Sequence, residues 1–416
     1  MVSKKGSNRN HKNNKKPLGK KYTSSADMFS NIRLTKKNCI MSFVLATITS
    51  LSIAYILNIG PIDSESFSLK KNIEVVKELY IERLTCKYTF MSDYIKGPES
   101  LVYHEGRNSL FVSTRNGSIM ELDVESLDTK KVYPIYKMIT NKKEQCDGTY
   151  NTLPKCGRPL GIQFGVTSTT RNILYVADGI FGLYSLDINS EKITILNEGK
   201  RKMYTNDLIV TETGIYFTIS STTFDDHEYL YAIIEHKNNG MVMFYNFETK
   251  LTVQIGKNLY FPNGIQMMKN FIYVAETSGL RISKINLKNG ERTNFINYLP
   301  GYPDNIRIVN KHGVNQLLVP IPEIISDSDE FFAMSPKLRN MIATIFSYTV
   351  LEKMIEKTSN VRSIFQYYDL ESGELLRSIN VPFNGLSISH VLEIEKINTI
   401  YFGSDNGQSV YACELS

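Results

Sequence analysis

From residue 97 onward the chain reads as short apolar stretches of alternating polarity, each bounded by turn residues such as "RNGS", "NNGM" and "LKNGE". Alternation at every second residue predicts β-strands, and the glycine-containing turns predict hairpins between them. The pattern recurs. Six segments share one design: a polar pair, an apolar strand, a turn, a second apolar strand and often a third. They begin at "PESLVYHEGRNSLFVSTRNGSIMELD", "PLGIQFGVTSTTRNILYVADGIFGLYSLD", "TNDLIVTETGIYFTIS", "PNGIQMMKNFIYVAETSGLRISKINL", "PDNIRIVNKHGVNQLLVPIP" and "ISHVLEIEKINTIYFGSDNGQSVYACEL". Six sheets of about four strands repeated around one axis predict an all-β fold, a six-bladed β-propeller spanning residues 95–416.

Two stretches break the strand pattern. "TTFDDHEYLYAIIEHKNNG", Thr222 to Gly240, contains a short helix-like segment, and Asp327 to Lys357 is more clearly helical. In the second, Leu338, Met341, Ile342, Ile345 and Phe346 fall on one helical face. Such helical inserts pack on the propeller surface, lie over the channel mouth as a lid, or meet a membrane.

Ahead of the strands runs "CIMSFVLATITSLSIAYILNIGPI", Cys39 to Ile62, with 24 residues and no charge. A bilayer core needs ~20 such residues. The run is longer than the apolar core of a signal peptide and follows a long basic tail, so it reads as an uncleaved signal-anchor, a single transmembrane helix. Residues 1–38 hold 11 Lys and Arg against one acid, Asp27, which leaves 37 bases facing 41 acids in the remainder. The formal charge of +6 therefore resides in the tail. That tail is poor in apolar residues and is expected to be disordered. The positive-inside rule places it in the cytosol and the C-terminal bulk in the lumen or outside the cell, a type II arrangement at the endoplasmic reticulum or plasma membrane. No basic patch is visible on the folded part, so nucleic acid is not an expected partner. Residues 63–94 are expected to form a lumenal stalk and a first strand leading into the propeller.

An oxidising compartment permits disulfides. Cys146 and Cys156 close a short loop and are expected to pair. Cys86 with Cys413 would tie the domain's two ends together, but spacing alone does not establish that bridge. Asn116-Gly117-Ser118 is an N-glycosylation sequon in a predicted hairpin turn, an expected glycan site.

Aligning the six units on the first apolar residue of each inner strand puts Glu99, Leu160, Asn206, Asn263, Asp304 and Ser389 two places before it. Inner strands line a propeller's channel and start on one face, so these positions would converge at its mouth. Glu99, Asn206, Asn263 and Asp304 offer hard side-chain oxygens, which suit Ca²⁺ and do not suit zinc. Taken singly, Asn, Asp and Ser before a strand are turn formers that bond their own backbone. Four oxygens in register, one of them from Glu99, point instead to a shared metal, and the pattern alone leaves both readings open.

The stretches "GPES", "CGRPLGI", "YVAD", "TND", "IYFT", "FPNG", "VAET" and "GYPDNIR" occur in the order expected of strictosidine synthase-like proteins, which the chain resembles over residues 95–416. The resemblance implies a six-bladed propeller of the calcium-dependent phosphotriesterase and paraoxonase type. It implies a Ca²⁺ held by Glu99, Asn206, Asn263 and Asp304, with Asn305 adjacent. Three departures stand out. Ile219 occupies the place of the Asp in the family's "YFTDSS". Ser389, followed by His390, stands where the strictosidine synthases carry a catalytic Glu, so their amine–aldehyde condensation is not expected. The histidine pair of the paraoxonases is not evident among His104, His227, His236, His312 and His390, of which only His390 falls at a mouth position.

With Ca²⁺ polarising a carbonyl oxygen, Asp304 would attack or orient a water and His390 would shuttle a proton. Esters or lactones are the expected small-molecule substrates. No G-x-S-x-G elbow supports a serine hydrolase. The alternative is a non-catalytic propeller that binds a ligand or protein and uses calcium only to stiffen its channel.

Overall fold

The structure, a computed structural model, describes residues 36–86, 88–89, 95–199, 203–358 and 362–414. The basic tail, up to residue 35, lies outside the described residues. The chain forms two compact units, Met1–Ile53 and Ala54–Ser416. In the first, the described part is helical and belongs to the helix Lys36–Leu57. Cys39–Leu57 of that helix is long and apolar enough to cross a membrane.

The helix ends at Leu57, and Asn58 to Ile62 of the apolar run lie beyond it. Asn58 adopts φ 51° and the Ile59 N–H donates to Ala54 O at 2.9 Å, the wide bond of a helix C-terminus closed by a left-handed residue. Pro61 then prevents the helix from resuming. Ile62 is buried among residues of the second unit.

Among the described residues the second unit forms six sheets, antiparallel but for one edge strand. Their innermost strands are Pro98–His104, Pro159–Phe164, Thr205–Val210, Pro262–Met268, Arg307–Lys311 and Ile388–Ile394. Each lies beside the innermost strand of the next sheet, and the sixth returns to the first. The arrangement is consistent with a β-propeller. The core lies between neighbouring sheets: Phe111, Ile119 and Tyr133 of the first pack on Ile162, Val176 and Tyr184 of the second. Burying one such side chain contributes about 2–3 kcal/mol. Second strands are covered on both faces, which is why Ser109–Thr114 and Thr399–Ser404 are buried at every position rather than alternating.

Chain ends close the ring. Glu82–Arg83 adds a parallel strand to the fifth sheet, and Tyr88–Thr89 completes the sixth against Tyr411–Glu414. These residues, expected as stalk and leading strand, are thus partly sheet. Cys86 is bonded to Cys413 across 327 residues, beside the strand that closes the sixth sheet, and Cys146 is bonded to Cys156.

Both inserts leave from the end of a sheet's second strand. They form the helices Tyr229–Glu235, Asp327–Ala333, Pro336–Ile345 and Tyr348–Thr358. Leu230, Tyr231, Ala343, Tyr348 and Leu351 from these helices cluster with Leu160, Tyr204 and Phe261, which stand at the starts of three inner strands. The disulfide loop joins them: Tyr150 stacks on His227 at 3.7 Å and on Tyr348 at 5.0 Å. The inserts therefore cover the end of the unit where the inner strands begin.

Candidate metal centre

Five inner strands begin with a bulge. Pairing slips between Pro98 and Leu101, Pro159 and Ile162, Thr205 and Leu208, Pro262 and Ile265, and Ile388 and His390. Glu99, Leu160, Asn206, Asn263 and Ser389 each lie inside a slip. Asp304 stands just before the remaining strand, where Asn305 bridges to His390. A bulge leaves a residue unpaired and re-aims its side chain, which is how polar residues can sit at the mouth of apolar strands. The approach is close: a Cβ on Gly161 would lie 2.6 Å from Asp207 Cα, and one on Gly264 would lie 2.3 Å from Ile306 N. Only glycine lets successive strand starts meet backbone to backbone.

Glu99, Asn206 and Asn263 are 5, 3 and 6% exposed. Asp304 is half-buried as a residue, with Oδ1 shut away from solvent. Asn305 Nδ2 donates to Glu99 Oε1 at 3.4 Å, and the Asp304 carboxylate lies close enough to Glu99 to raise its pKa. Asn206 heads the strand between those of Leu160 and Asn263. Leu160 turns to the apolar cluster under the inserts, and Ser389 Oγ donates to Glu99 O at 3.1 Å.

Turn chemistry can be separated from ligand chemistry here. Asp123, Asp187, Asn246 and Asp369 end third strands, and the Oδ1 of each accepts two backbone N–H groups of the following turn. These are Asx turns. At the mouth, by contrast, Oδ1 of Asn206, Asn263, Asp304 and Asn305 is buried and accepts no hydrogen bond. A buried acceptor left unpaired costs about 1–3 kcal/mol. These oxygens serve no turn, and as hard amide and carboxylate donors they are of the type that Ca²⁺ takes. Among the described residues no group of three or more His, Cys, Asp or Glu side chains stands at metal-holding spacing. The candidate set has only two carboxylates, with amides supplying the other oxygens.

Charge follows from burial. Glu99 is held well above the ordinary carboxylate range, first by burial and then by Asp405 and Asp304. Asp304 is raised likewise, by burial and then by Asp405 and Asp207. Sequence reasoning missed the groups that balance them. Arg158 donates from Nη2 to Glu99 Oε2 at 3.3 Å and also to Asp405. Arg307 Nη1 donates to Asp207 Oδ2 at 3.0 Å, and that same oxygen accepts the Ile265 N–H at 3.1 Å. The available signal was an arginine immediately before an apolar inner strand, in "CGRPLGI". Buried there, it needs carboxylate partners.

His390 is fully buried. Its Nδ1 accepts the Leu101 N–H at 2.7 Å, so the neutral ring carries its proton on Nε2. Burial, then Arg307, pushes its pKa well below the ordinary histidine value. The ring holds a backbone group and offers no free lone pair for a proton.

Ile219 pairs with Thr205 at the position where Asp178 pairs with Pro159 and Glu276 with Pro262. Asp178 Oδ1 accepts the N–H groups of Arg158, Ile180 and Phe181. Glu276 accepts from Arg281 and Tyr260. These carboxylates tie turns within their own sheets, and Ile219 packs instead among Ala177, Leu183 and Phe217. What Ile219 lacks is a scaffold tie.

Asn116, the sequon residue, is half-buried in the hairpin after Ser109–Thr114, and its Oδ1 accepts from Thr114 Oγ1 at 2.6 Å.

A family model described as strictosidine synthase matches residues 206–290. The adipocyte plasma membrane-associated protein of Salmo salar is 30% identical over 410 residues, covering 94% of this chain and 91% of its own. That of Mus musculus is 30% identical over 396 residues, covering 90% of each. The chain belongs to the strictosidine synthase-like family, among the adipocyte plasma membrane-associated proteins. Among solved structures, a luciferin-regenerating enzyme superposes with TM-score 0.50 at 9% identity, covering 79% of this chain and 95% of its own, a likeness of fold alone.

Proposed function

We propose that this is a membrane-anchored, calcium-dependent hydrolase of ester or lactone substrates, built on six blades around one channel. The observation that carries the reading is the buried Oδ1 of Asn206, Asn263, Asp304 and Asn305, each without a hydrogen-bond donor from the protein, at the starts of inner strands. Glu99, Asn206, Asn263 and Asp304 would hold the ion. Bound there, Ca²⁺ supplies a Lewis acid for a carbonyl oxygen. Asp304 orients a water or attacks the carbonyl carbon. Asn305 steers Glu99 through its Nδ2, and Arg158 neutralises the carboxylates left over. His390 positions the Leu101 backbone instead of moving a proton. The inserts exclude water from the mouth. Cys39–Leu57 anchors the chain, with the tail cytosolic and residues 63–416 lumenal or extracellular, bearing a glycan on Asn116. The relatives' names, plasma membrane-associated, agree with that location.

The test uses full-length protein in detergent with a panel of aryl esters and lactones, with and without chelator. Turnover that needs calcium and is lost in Asp304→Asn supports the reading. A second reading, a structural calcium in a non-catalytic binding propeller, is favoured by the covered mouth and by the engaged lone pair of His390. It predicts a calcium-dependent melting temperature with no turnover on any ester.

A further inference from the structure

The helix Pro336–Ile345 buries polar side chains and leaves part of its apolar stripe uncovered. Its buried residues are Arg339, Asn340 and Ala343. The apolar stripe read from the sequence is left partly uncovered: Leu338 and Met341 are half-exposed and Ile345 is 43% exposed. The polar face is engaged by the chain that follows the apolar N-terminal helix. Asn340 Nδ2 donates to Asn58 O at 3.0 Å and to Asn58 Oδ1 at 3.1 Å. Arg339 donates to Glu65 O and Ile234 O. A Cβ on Gly60 would lie 2.0 Å from Asn340 Oδ1, so only glycine permits the contact.

Asn58 directly follows Leu57, the last residue of the helix. Pro336–Ile345 is therefore tethered at the point where the candidate span ends. The same insert exposes Phe331, Phe332 and Val350, at 60, 42 and 44%. Large apolar side chains grouped on one insert mark a contact surface. Chain continuity with a helix long and apolar enough to cross a membrane identifies the partner. We propose that the insert Asp327–Thr358 lies in the headgroup boundary of the lipid bilayer, with Phe331, Phe332, Ile345 and Val350 inserted toward the acyl chains. The inference rests on the anchor part of the proposed function and is independent of the metal. Asp327–Thr358 carries five acids against four bases, a near balance for which neutral phosphatidylcholine is the matching lipid.

The chain contains no tryptophan, so a single substitution creates a unique fluorophore. Full-length Phe331→Trp, Val350→Trp and, as a control, Leu251→Trp in a turn of the third sheet would be reconstituted in phosphatidylcholine vesicles. The proposal predicts that brominated lipid removes most of the Phe331→Trp and Val350→Trp emission, while aqueous iodide does so only for Leu251→Trp. Retention in the vesicles after alkaline carbonate, with Phe331→Trp and Val350→Trp quenched by iodide and not by brominated lipid, would overturn this inference and leave the anchor standing. Release by carbonate would overturn the anchor, and this inference with it.

Discussion

Asn206→Leu separates a metal ligand from a turn former by the sign of its effect. Asn206 is 3% exposed, and its Oδ1 is buried without a donor. In protein stripped of calcium, leucine of similar volume removes an unpaired acceptor that costs about 1–3 kcal/mol. A unit of this size gains on the order of 1–2 °C in Tm per kcal/mol. The stripped variant should therefore melt about 1–6 °C above the stripped wild type. With calcium that advantage is offset. Calcium at a hundredfold over its Kd stabilises the wild type by about 2.7 kcal/mol, and the variant should lose most of that gain. Differential scanning calorimetry of full-length protein in detergent, with calcium or with chelator, reads both. A variant destabilised equally in the two buffers would show that Asn206 serves the local backbone and would refute the ligand assignment.

Other outcomes follow from the same geometry. Because Glu99 and Asp304 are raised above the ordinary carboxylate range, the metal-free folded state holds more protons than the unfolded chain between the ordinary and raised values. Its stability should fall as pH rises through that window, and calcium affinity should weaken as pH falls through it; equal affinity across that range by titration would contradict both shifts. Ile219→Asp, which restores the family's residue, should destabilise by about 1–3 kcal/mol by burying an unpaired carboxyl among Ala177, Leu183 and Phe217, with no gain in turnover; a gain would return position 219 to the mouth. Replacing Cys86 and Cys413 with serine opens a closure across 327 residues and should cost about 4–5 kcal/mol in denaturant unfolding. His390→Gln should lose about 1–3 kcal/mol of stability through the Leu101 N–H, and the remaining folded protein should keep its pH–rate profile.

Much of this was legible in the chain. The strand repeat and the turn residues follow from period-two alternation and from Asx chemistry, both local signals. The shared step of Glu99, Asn206 and Asn263 was legible because bulges at the same step of their strands keep the count constant, whereas Asp304 stands before a strand with no such slip. That the bulges exist was not, since a slip depends on the partner strand. Arg158, Asp207 and Asp405 escaped notice because their pairing runs between sheets far apart in sequence. In the helix Pro336–Ile345 periodicity identified the apolar stripe, of which Ile342 and Phe346 pack inward, but not the tertiary contacts that also bury Arg339 and Asn340. Ile62 was counted in the apolar run because hydropathy does not register the left-handed break at Asn58.

Isothermal titration of calcium into the detergent-solubilised, chelator-stripped full chain tests the central claim most directly. One binding event per chain, with proton release measured in two buffers and loss of the event in Glu99→Gln and in Asp304→Asn, is the predicted result. No heat of binding, or binding untouched by both substitutions, would contradict it.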